Sequence, residues 1–66
     1  MTFSEHLLQL RTARDLTQKS LAAKIGISWR TYQNYELGLR EPPLSTLIAL
    51  ADFYGLPLDE LVCRER

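Results

Sequence analysis

The sequence predicts an all-α protein, one compact domain of five short helices that spans residues 1–66. Apolar residues recur three and four positions apart along most of the chain, which is the spacing of a helix that buries one face. Glycine, proline and small polar residues that begin or end helices separate these stretches. We find no alternating apolar and polar run long enough to be a strand, and a chain of this length makes only one domain.

The first predicted helix runs from about Ser4, a residue type that caps helix N-termini well, to Arg14. The apolar side chains that would form its buried stripe are Phe3, Leu7, Leu8 and Leu10. Asp15 follows at a position where glycine or asparagine would adopt the required backbone conformation more easily. We expect Asp15 to end this helix.

The second and third predicted helices are joined by a very short turn. Helix 2 spans about Gln18 to Ile25 after Thr17 as its N-cap, and its inward arc contains Leu21, Ala22 and Ile25. Serine, and not glutamate, stands three residues after the cap, so we expect no full capping box. Gly26 supplies the left-handed residue that ends helix 2, and Ser28 caps helix 3. Helices joined so closely must cross steeply, as in a helix-turn-helix.

Helix 3, about Trp29 to Leu37, has two different faces. One face is formed by Thr31, Tyr32 and Tyr35, and we expect its tyrosines to point to the core. The other combines hydrogen-bonding groups, a planar ring and one leucine: Trp29, Arg30, Gln33, Asn34 and Leu37. Such a face suits a helix that enters the major groove of DNA.

Two further helices complete the predicted fold. Helix 4 runs from about Leu44 to Tyr54 and ends at Gly55; its core candidates are Leu47, Ile48, Leu50, Ala51 and Tyr54. Pro57 opens the last helix, which is expected to run from Leu58 to about Cys63.

Composition excludes several classes of protein. With 45% hydrophobic and 24% charged residues, the chain is an ordinary globular protein that should fold without a cofactor. No apolar run approaches the roughly 18 residues of a membrane span, and the first residues lack the order of a signal peptide, so we expect a cytoplasmic protein with no membrane contact. Cys63 is the only cysteine, which excludes an internal disulfide and a multi-thiolate metal cluster.

No arrangement of residues in the sequence indicates catalysis or metal binding. His6 has only the adjacent Glu5 as a potential fellow ligand, and neighbours on a helix point to different faces, so we expect a surface histidine. Ser4, Glu5 and His6 are contiguous and lack a pocket, which does not support a catalytic triad. We therefore expect no enzyme activity, no metal, no cofactor and no small-molecule ligand.

The net charge is zero, but the charges are unevenly distributed. Residues 9–40 carry six basic side chains against two acidic ones, whereas residues 41–66 carry five acidic side chains against two basic ones. Neutrality argues against binding nucleic acid through a broad positive surface. The basic half nevertheless coincides with the predicted helix-turn-helix, so either a local DNA-binding surface or an ordinary mixed surface explains the distribution.

Four consecutive segments resemble the phage repressor and Cro family of helix-turn-helix regulators, also called XRE-like. They are FSEHLLQLR before the motif, LTQKSLAAKIG for helix 2, SWRTYQNYELG for helix 3, and PLSTLIALADFYGLPLDELV for the last two helices. The resemblance covers nearly the whole chain. It implies a five-helix, lambda-repressor-like DNA-binding domain.

The resemblance also implies roles for single residues. The residue that matches Gln18 meets a DNA phosphate at the start of helix 2. The pair that matches Arg11 and Glu36 forms a salt bridge from helix 1 to the end of helix 3, with the arginine also near a phosphate. In family members, the residues that correspond to Trp29, Arg30 and Asn34 face base edges. The residues that correspond to Ser28, Thr31 and Gln33 lie near bases or the DNA backbone.

The chain departs from the family pattern at five positions. Tyr32 and Tyr35 stand where most members have isoleucine, valine or leucine, so the core is enlarged or the hydroxyls reach its rim, where each could touch a phosphate. Trp29 is unusual in the first turn of helix 3. Leu37 and Leu39 replace polar or basic residues that commonly meet the DNA backbone.

Side-chain chemistry supports a reading role for helix 3. Arg30 can donate two hydrogen bonds to guanine, and Asn34 or Gln33 can pair with adenine, although each could instead be an ordinary exposed side chain. Trp29 could lay its ring against a thymine methyl or a sugar with its indole N–H at a phosphate, or it could lie partly buried or against another subunit. The predicted DNA-binding residues are Thr17, Gln18, Lys19, Ser28, Trp29, Arg30, Thr31, Gln33, Asn34 and Arg40.

The sequence therefore predicts a sequence-specific double-stranded DNA-binding regulator of transcription, a repressor, that acts as a homodimer on two half-sites about one helical turn apart. The predicted dimer contacts are Phe53, Leu58, Leu61 and Val62, several of which could instead close the core of the monomer. An alternative is a protein-binding module, such as an antitoxin or docking subunit, with DNA contact secondary. No motif in the sequence supports a third hypothesis, enzyme activity.

Overall fold

Five helices follow one another in the computed structural model, which describes residues 1–62. They are α1 (Phe3–Ala13), α2 (Gln18–Ile25), α3 (Trp29–Glu36), α4 (Leu44–Tyr54) and α5 (Leu58–Leu61). No strand occurs within the described residues, which confirms the predicted all-α fold. Cys63, where we expected the last helix to end, lies outside the described part of the chain.

The start of α1 differs from the prediction. Its N-cap is Thr2: the backbone N–H of Glu5 donates to Thr2 Oγ1 at 3.2 Å, and the backbone N–H of Thr2 donates to Glu5 Oε1 at 2.8 Å. Ser4 lies within the first turn, so the prediction of Ser4 as the cap was wrong. The reason is the T-x-x-E spacing, which forms a reciprocal capping box two residues earlier. Asp15 follows α1 with φ +55°, as its position indicated.

A capping box also begins α2, although we expected none. Thr17 Oγ1 accepts from the backbone N–H of Ser20 at 3.0 Å, and Ser20 Oγ accepts from the backbone N–H of Thr17 at 3.1 Å. A serine hydroxyl therefore performs the function usually given to glutamate. Two orphan donors at the start of α2 are satisfied by side chains.

The core is formed by buried side chains from all five helices. Its fully buried large side chains are Leu7, Leu21, Tyr32, Leu50 and Leu61, and Ala22, Tyr35, Ala51 and Tyr54 complete it. Two predicted core residues are wrong: Leu8 is 45% exposed and Ile48 is 43% exposed. Thr46, which was not among the predicted core residues of α4, is buried.

Packing between helices leaves one side of α3 uncovered. α3 packs against α1 and α2, while α4 packs against α2 and α5, and α5 returns to α1. His6 contributes to this last contact, because its Nδ1 lies 2.9 Å from the carbonyl oxygen of Leu61 and can donate a hydrogen bond to it. The expectation that His6 is a surface residue was therefore wrong, since it is half-buried between α1 and α5.

Within residues 1–62, no helix is both long enough and apolar enough to cross a membrane. The same part of the chain contains no group of three or more metal-ligating side chains.

Candidate nucleic-acid interface

The turn between α2 and α3 determines the direction of α3. Gly26 has φ +80°, the left-handed conformation that ends α2, and the backbone N–H of Ile27 donates to the carbonyl of Ala22 at 3.0 Å. Ser28 then caps α3, because its Oγ accepts from the backbone N–H of Thr31 at 3.2 Å. Three residues therefore join two helices that pack directly against each other. The predicted helix-turn-helix is present.

The tyrosines of α3 face the core as its periodicity predicted, whereas Thr31, which was assigned to the same face, lines the exposed groove described below. Tyr32 is fully buried and Tyr35 nearly so, which anchors α3 in the core. Arg30 is exposed on the opposite side, with Asn34 half-buried one turn later, and Trp29 is exposed beside the start of α2. A buried aromatic face and an exposed polar face give α3 a fixed orientation with its polar groups directed outward.

Five of the predicted DNA-binding residues lie together around one open groove of about 410 Å³. They are Ser28, Arg30, Thr31, Asn34 and Arg40. Tyr35, Glu41 and Pro43 complete the lining of this groove. The groove therefore combines two arginines with a carboxamide and two hydroxyls, a set that can both donate and accept hydrogen bonds.

The other predicted residues take separate positions. A second group lies at the start of α2 and consists of Thr17, Gln18, Lys19 and Trp29. The side chains of Gln18 and Lys19 contact Trp29 there. Gln33 is half-buried on α3 and lines neither the groove nor this group. The structure thus places nine of the ten residues in two neighbouring groups.

A network of charged and polar side chains beneath α3 centres on Glu36. Arg11 donates from Nε to Glu36 Oε2 at 2.6 Å and from Nη2 to Oε1 at 3.1 Å, and both side chains are largely buried. Gln18 Nε2 donates to Oε1 at 3.0 Å, and the hydroxyl of Tyr32 donates to Oε2. Arg11 also donates to the carbonyl of Leu16 at 2.8 Å. One carboxylate therefore joins α1, α2 and α3.

The surroundings of Glu36 shift the pKa values of this network. Burial alone would raise the pKa of the Glu36 carboxyl, but hydrogen bonds from Arg11, Tyr32 and Gln18 together lower it below its usual value. The hydrogen bond to Glu36 raises the pKa of Arg11. Burial, followed by the bond to Glu36, raises the pKa of Tyr32. The carboxylate and the guanidinium are therefore both charged at neutral pH.

Trp29 lies against the start of α2. Its indole N–H donates to Gln18 Oε1 at 3.2 Å, and Lys19 Nζ lies 4.8 Å from the centroid of its ring. The ring is 40% exposed, so it is neither a core residue nor a freely projecting one. The first residue of α3 is thus linked to the first two residues of α2.

Comparison with known proteins identifies the family. The helix-turn-helix family model matches residues 7–61, which include all of α2, the turn and α3. The chain belongs to the XRE-type helix-turn-helix family.

Relatives of this helix-turn-helix protein include regulators from several bacteria. The chain is 47% identical over 60 residues to the cryptic phage CTXphi transcriptional repressor RstR of Vibrio cholerae, an alignment that covers 91% of this chain and 54% of RstR. The chain therefore spans about half the length of such curated relatives.

Solved structures show the same arrangement of helices. A transcriptional regulator from Listeria innocua superposes with a TM-score of 0.92 at 31% identity and covers 98% of this chain and 61% of its own. The SOS-response transcriptional repressor LexA from Eubacterium rectale superposes with a TM-score of 0.86 at 30% identity, covering 91% and 64%.

Three side-chain contacts of this helix-turn-helix protein were not predicted from the sequence: those of Tyr32 and Gln18 with Glu36, and that of Trp29 with Gln18. The bond from Tyr32 to Glu36 has a signal in the sequence, because residues four apart on a helix are neighbours. The bond from Trp29 to Gln18 has no such signal, since it depends on the angle between two helices.

Arg14 was counted among the basic residues of the helix-turn-helix half but has a structural contact. Its guanidinium donates to the carbonyls of Phe53 and Tyr54, each at 3.3 Å, and lies over both rings at 5.5 and 5.0 Å from their centroids. These are carbonyls of the last turn of α4, where a cation is favourable.

One predicted dimer contact is contradicted. Leu61 has no exposed surface within the single chain, so it closes the core and cannot face a second subunit. Phe53 and Val62 are half-buried, and Leu58 is 37% exposed. The sequence identified Leu61 as apolar but could not assign the side on which a four-residue helix packs.

Proposed function

We propose that this chain binds double-stranded DNA in a sequence-specific manner, with α3 in the major groove, and that it represses transcription as a homodimer. The observation that carries the proposal is the outward face of α3, where Arg30 and Asn34 lie one turn apart on one groove. The relationship to the repressor RstR supports both DNA binding and repression. The cytoplasm is the expected location, since it holds the DNA.

Base recognition is assigned to Arg30 and Asn34. An exposed guanidinium can donate two parallel hydrogen bonds to O6 and N7 of guanine, and a carboxamide can pair with N6 and N7 of adenine. The buried rings of Tyr32 and Tyr35 pack in the core and keep α3 from rotating. Gln33 is assigned a contact near the bases or the backbone.

Backbone contacts are assigned to the start of α2 and to the groove rim. Gln18 and Lys19 begin α2, where main-chain N–H groups and the helix dipole favour a phosphate, and Thr17 precedes them. Ser28, Thr31 and Arg40 lie on the rim of the groove beside α3. Such contacts would position the domain without reading sequence.

A homodimer is proposed because one domain of this kind contacts too little DNA for useful specificity. Single modules bury about 600–1,000 Å² on DNA, and two-fold symmetry doubles the number of bases read. The apolar groups available for the contact are Phe53, Leu58 and Val62, at the end of α4 and in α5.

The proposal is tested by selecting bound sequences from random duplex DNA with the full chain. We expect a palindromic site with half-sites about one helical turn apart. Arg30→Ala and Asn34→Ala should each lose preference at one base pair per half-site. Lys24→Ala is the matched control, since it removes an exposed cation from α2 that the proposal does not use. Unchanged affinity and preference in both α3 variants at fixed salt would refute the proposal.

A protein-binding module is the second candidate, favoured by two exposed leucines at the end of α3. Leu37 is 62% exposed and Leu39 is 70% exposed, where polar residues would suit a DNA backbone better. If the selection enriches no duplex, this candidate replaces the first.

A further inference from the structure

We propose that Trp29 is a positioning residue that holds Gln18 and Lys19 for a DNA phosphate and does not itself read a base. This inference rests on the proposed function, because it concerns the same interface. It assigns to the first residue of α3 a role in binding the backbone. Three contacts support this role: Trp29 with Gln18, Trp29 with Lys19, and Gln18 with Glu36.

The orientation of the Gln18 amide is determined by its two neighbours. The indole N–H of Trp29 can only donate, and it lies 3.2 Å from Gln18 Oε1. The Glu36 carboxylate can only accept when ionised, and it lies 3.0 Å from Gln18 Nε2. A flipped amide would place donor against donor and acceptor against acceptor. Trp29 and Glu36 therefore admit one orientation only.

This orientation leaves one donor of Gln18 available. An amide nitrogen carries two hydrogens, and Glu36 accepts one of them. Within residues 1–62 we find no acceptor for the other. The negative charge of Glu36 does not repel an approaching anion strongly, because Arg11 pairs with that carboxylate at 2.6 Å.

Lys19 supplies a positive charge that also lies against Trp29. Its ammonium lies 4.8 Å from the centroid of the Trp29 ring, a distance at which the ring face attracts a cation. Trp29 thus contacts both Gln18 and Lys19, one through its N–H and the other through its ring. A neutral donor and a cation that both lie against Trp29 can each bind an oxygen of a phosphate.

The same contacts reduce what Trp29 can offer a base. Its indole N–H already donates to Gln18, and Lys19 lies over the ring. Loss of the indole N–H should therefore weaken binding to every DNA sequence alike, because phosphate contacts carry no sequence information.

Trp29→Phe tests this directly, since it keeps an aromatic ring for Lys19 and removes the N–H. We expect the affinity for the selected site and for an unrelated duplex to fall by the same factor, about fivefold, as expected for one lost hydrogen bond. The selected sequence should not change. A loss confined to the selected site, or altered preference at one base pair, would overturn the inference in favour of base reading.

A double-mutant cycle with Gln18→Ala separates positioning from a general structural effect. If Trp29 acts through Gln18, Trp29→Phe should have no further effect on affinity in the Gln18→Ala background. The same fivefold loss in both backgrounds would overturn the inference. Leu8→Ala serves as the control, because it also truncates an exposed apolar side chain but lies on α1. Unfolding in urea checks that every variant folds.

The free protein provides a readout that needs no DNA. Trp29 is the only tryptophan, so one indole N–H resonance reports on it. Gln18→Ala should move this resonance towards the position of a water-exposed indole, and an unmoved resonance would contradict the bond. If the wild-type chain binds no duplex, the proposed function fails and this inference with it. Wild-type binding that Trp29→Phe leaves unchanged rejects the inference alone.

Discussion

Two buried tyrosines show how differently one residue type is used in this core. The hydroxyl of Tyr32 donates to Glu36, whereas the hydroxyl of Tyr54 finds no hydrogen-bond partner among residues 1–62. Burial raises the pKa of Tyr54 to about 12, because an ionised phenol would be poorly solvated there. A buried polar group without a partner lowers stability, and one with a partner raises it slightly.

Removal of the two hydroxyls should therefore have opposite effects. We expect Tyr54→Phe to raise the free energy of unfolding by up to about 1 kcal/mol and Tyr32→Phe to lower it by about 1 kcal/mol. Urea unfolding at pH 7 measures both. Each variant is the control of the other, since the same atom is removed from the same residue type. Equal effects of the same sign would contradict this account.

At the scale of helices, the sequence predicted most boundaries, because local rules set them. α2 begins after its predicted cap Thr17, and α2 and α4 end at the glycines that were expected to end them. The start of α1 was misplaced by two residues, since the Thr2 and Glu5 pair was not recognised as a capping box. Ile48 was misassigned because a stripe of apolar residues on α4 is wider than the face its neighbours cover.

Contacts between helices were harder to predict. The family resemblance implied the pairing of Arg11 with Glu36, and both side chains are in contact. The bonds from Gln18 and Tyr32 to the same carboxylate were missed, since periodicity describes one helix at a time. That side chains from three helices meet at Glu36 can be predicted only when the crossing angles between the helices are known.

Glu36→Gln should loosen the junction of α1, α2 and α3. We expect the free energy of unfolding at pH 7 to fall by about 2 kcal/mol, because the charged partner of Arg11 is lost. The pKa of Glu36 is lowered in the folded chain, so the unfolded chain binds its proton at higher pH. The stability that Glu36 provides is thus present above its usual pKa and lost as the pH falls below that value.

The difference between the wild-type chain and Glu36→Gln should accordingly shrink as the pH falls. Urea unfolding at intervals from pH 7 to about pH 3 measures this difference, with other carboxylates cancelling between the two proteins. A difference that stays constant over this range would show that the ionised form of Glu36 contributes nothing.

At the scale of the whole molecule, the proposed dimer interface is the apolar surface at the end of α4 and in α5. Leu58→Asp places a charge on a side chain that is 37% exposed in the single chain. We expect self-association to weaken and affinity for the palindromic site to fall by about tenfold or more, equivalent to about 1.4 kcal/mol or more. Sedimentation equilibrium and DNA titration measure the two effects.

Leu8→Asp is the matched control for this prediction, because it introduces the same charge at an exposed leucine on α1. It should leave self-association unchanged. Normal dimerisation of Leu58→Asp would remove α5 from the interface, and equal loss in both variants would point to general misfolding.

The internal contacts of two arginines have a consequence for how this protein would search a genome. Arg11 is paired with Glu36, and Arg14 is bound to the end of α4, so two of the six basic residues in the helix-turn-helix half serve the fold. Attraction to arbitrary DNA grows with the number of phosphates that cations neutralise. A surface with fewer free basic side chains leaves fewer protein molecules bound to the many non-specific sites of a chromosome. A modest intrinsic affinity for the operator could then suffice for occupancy at low copy number.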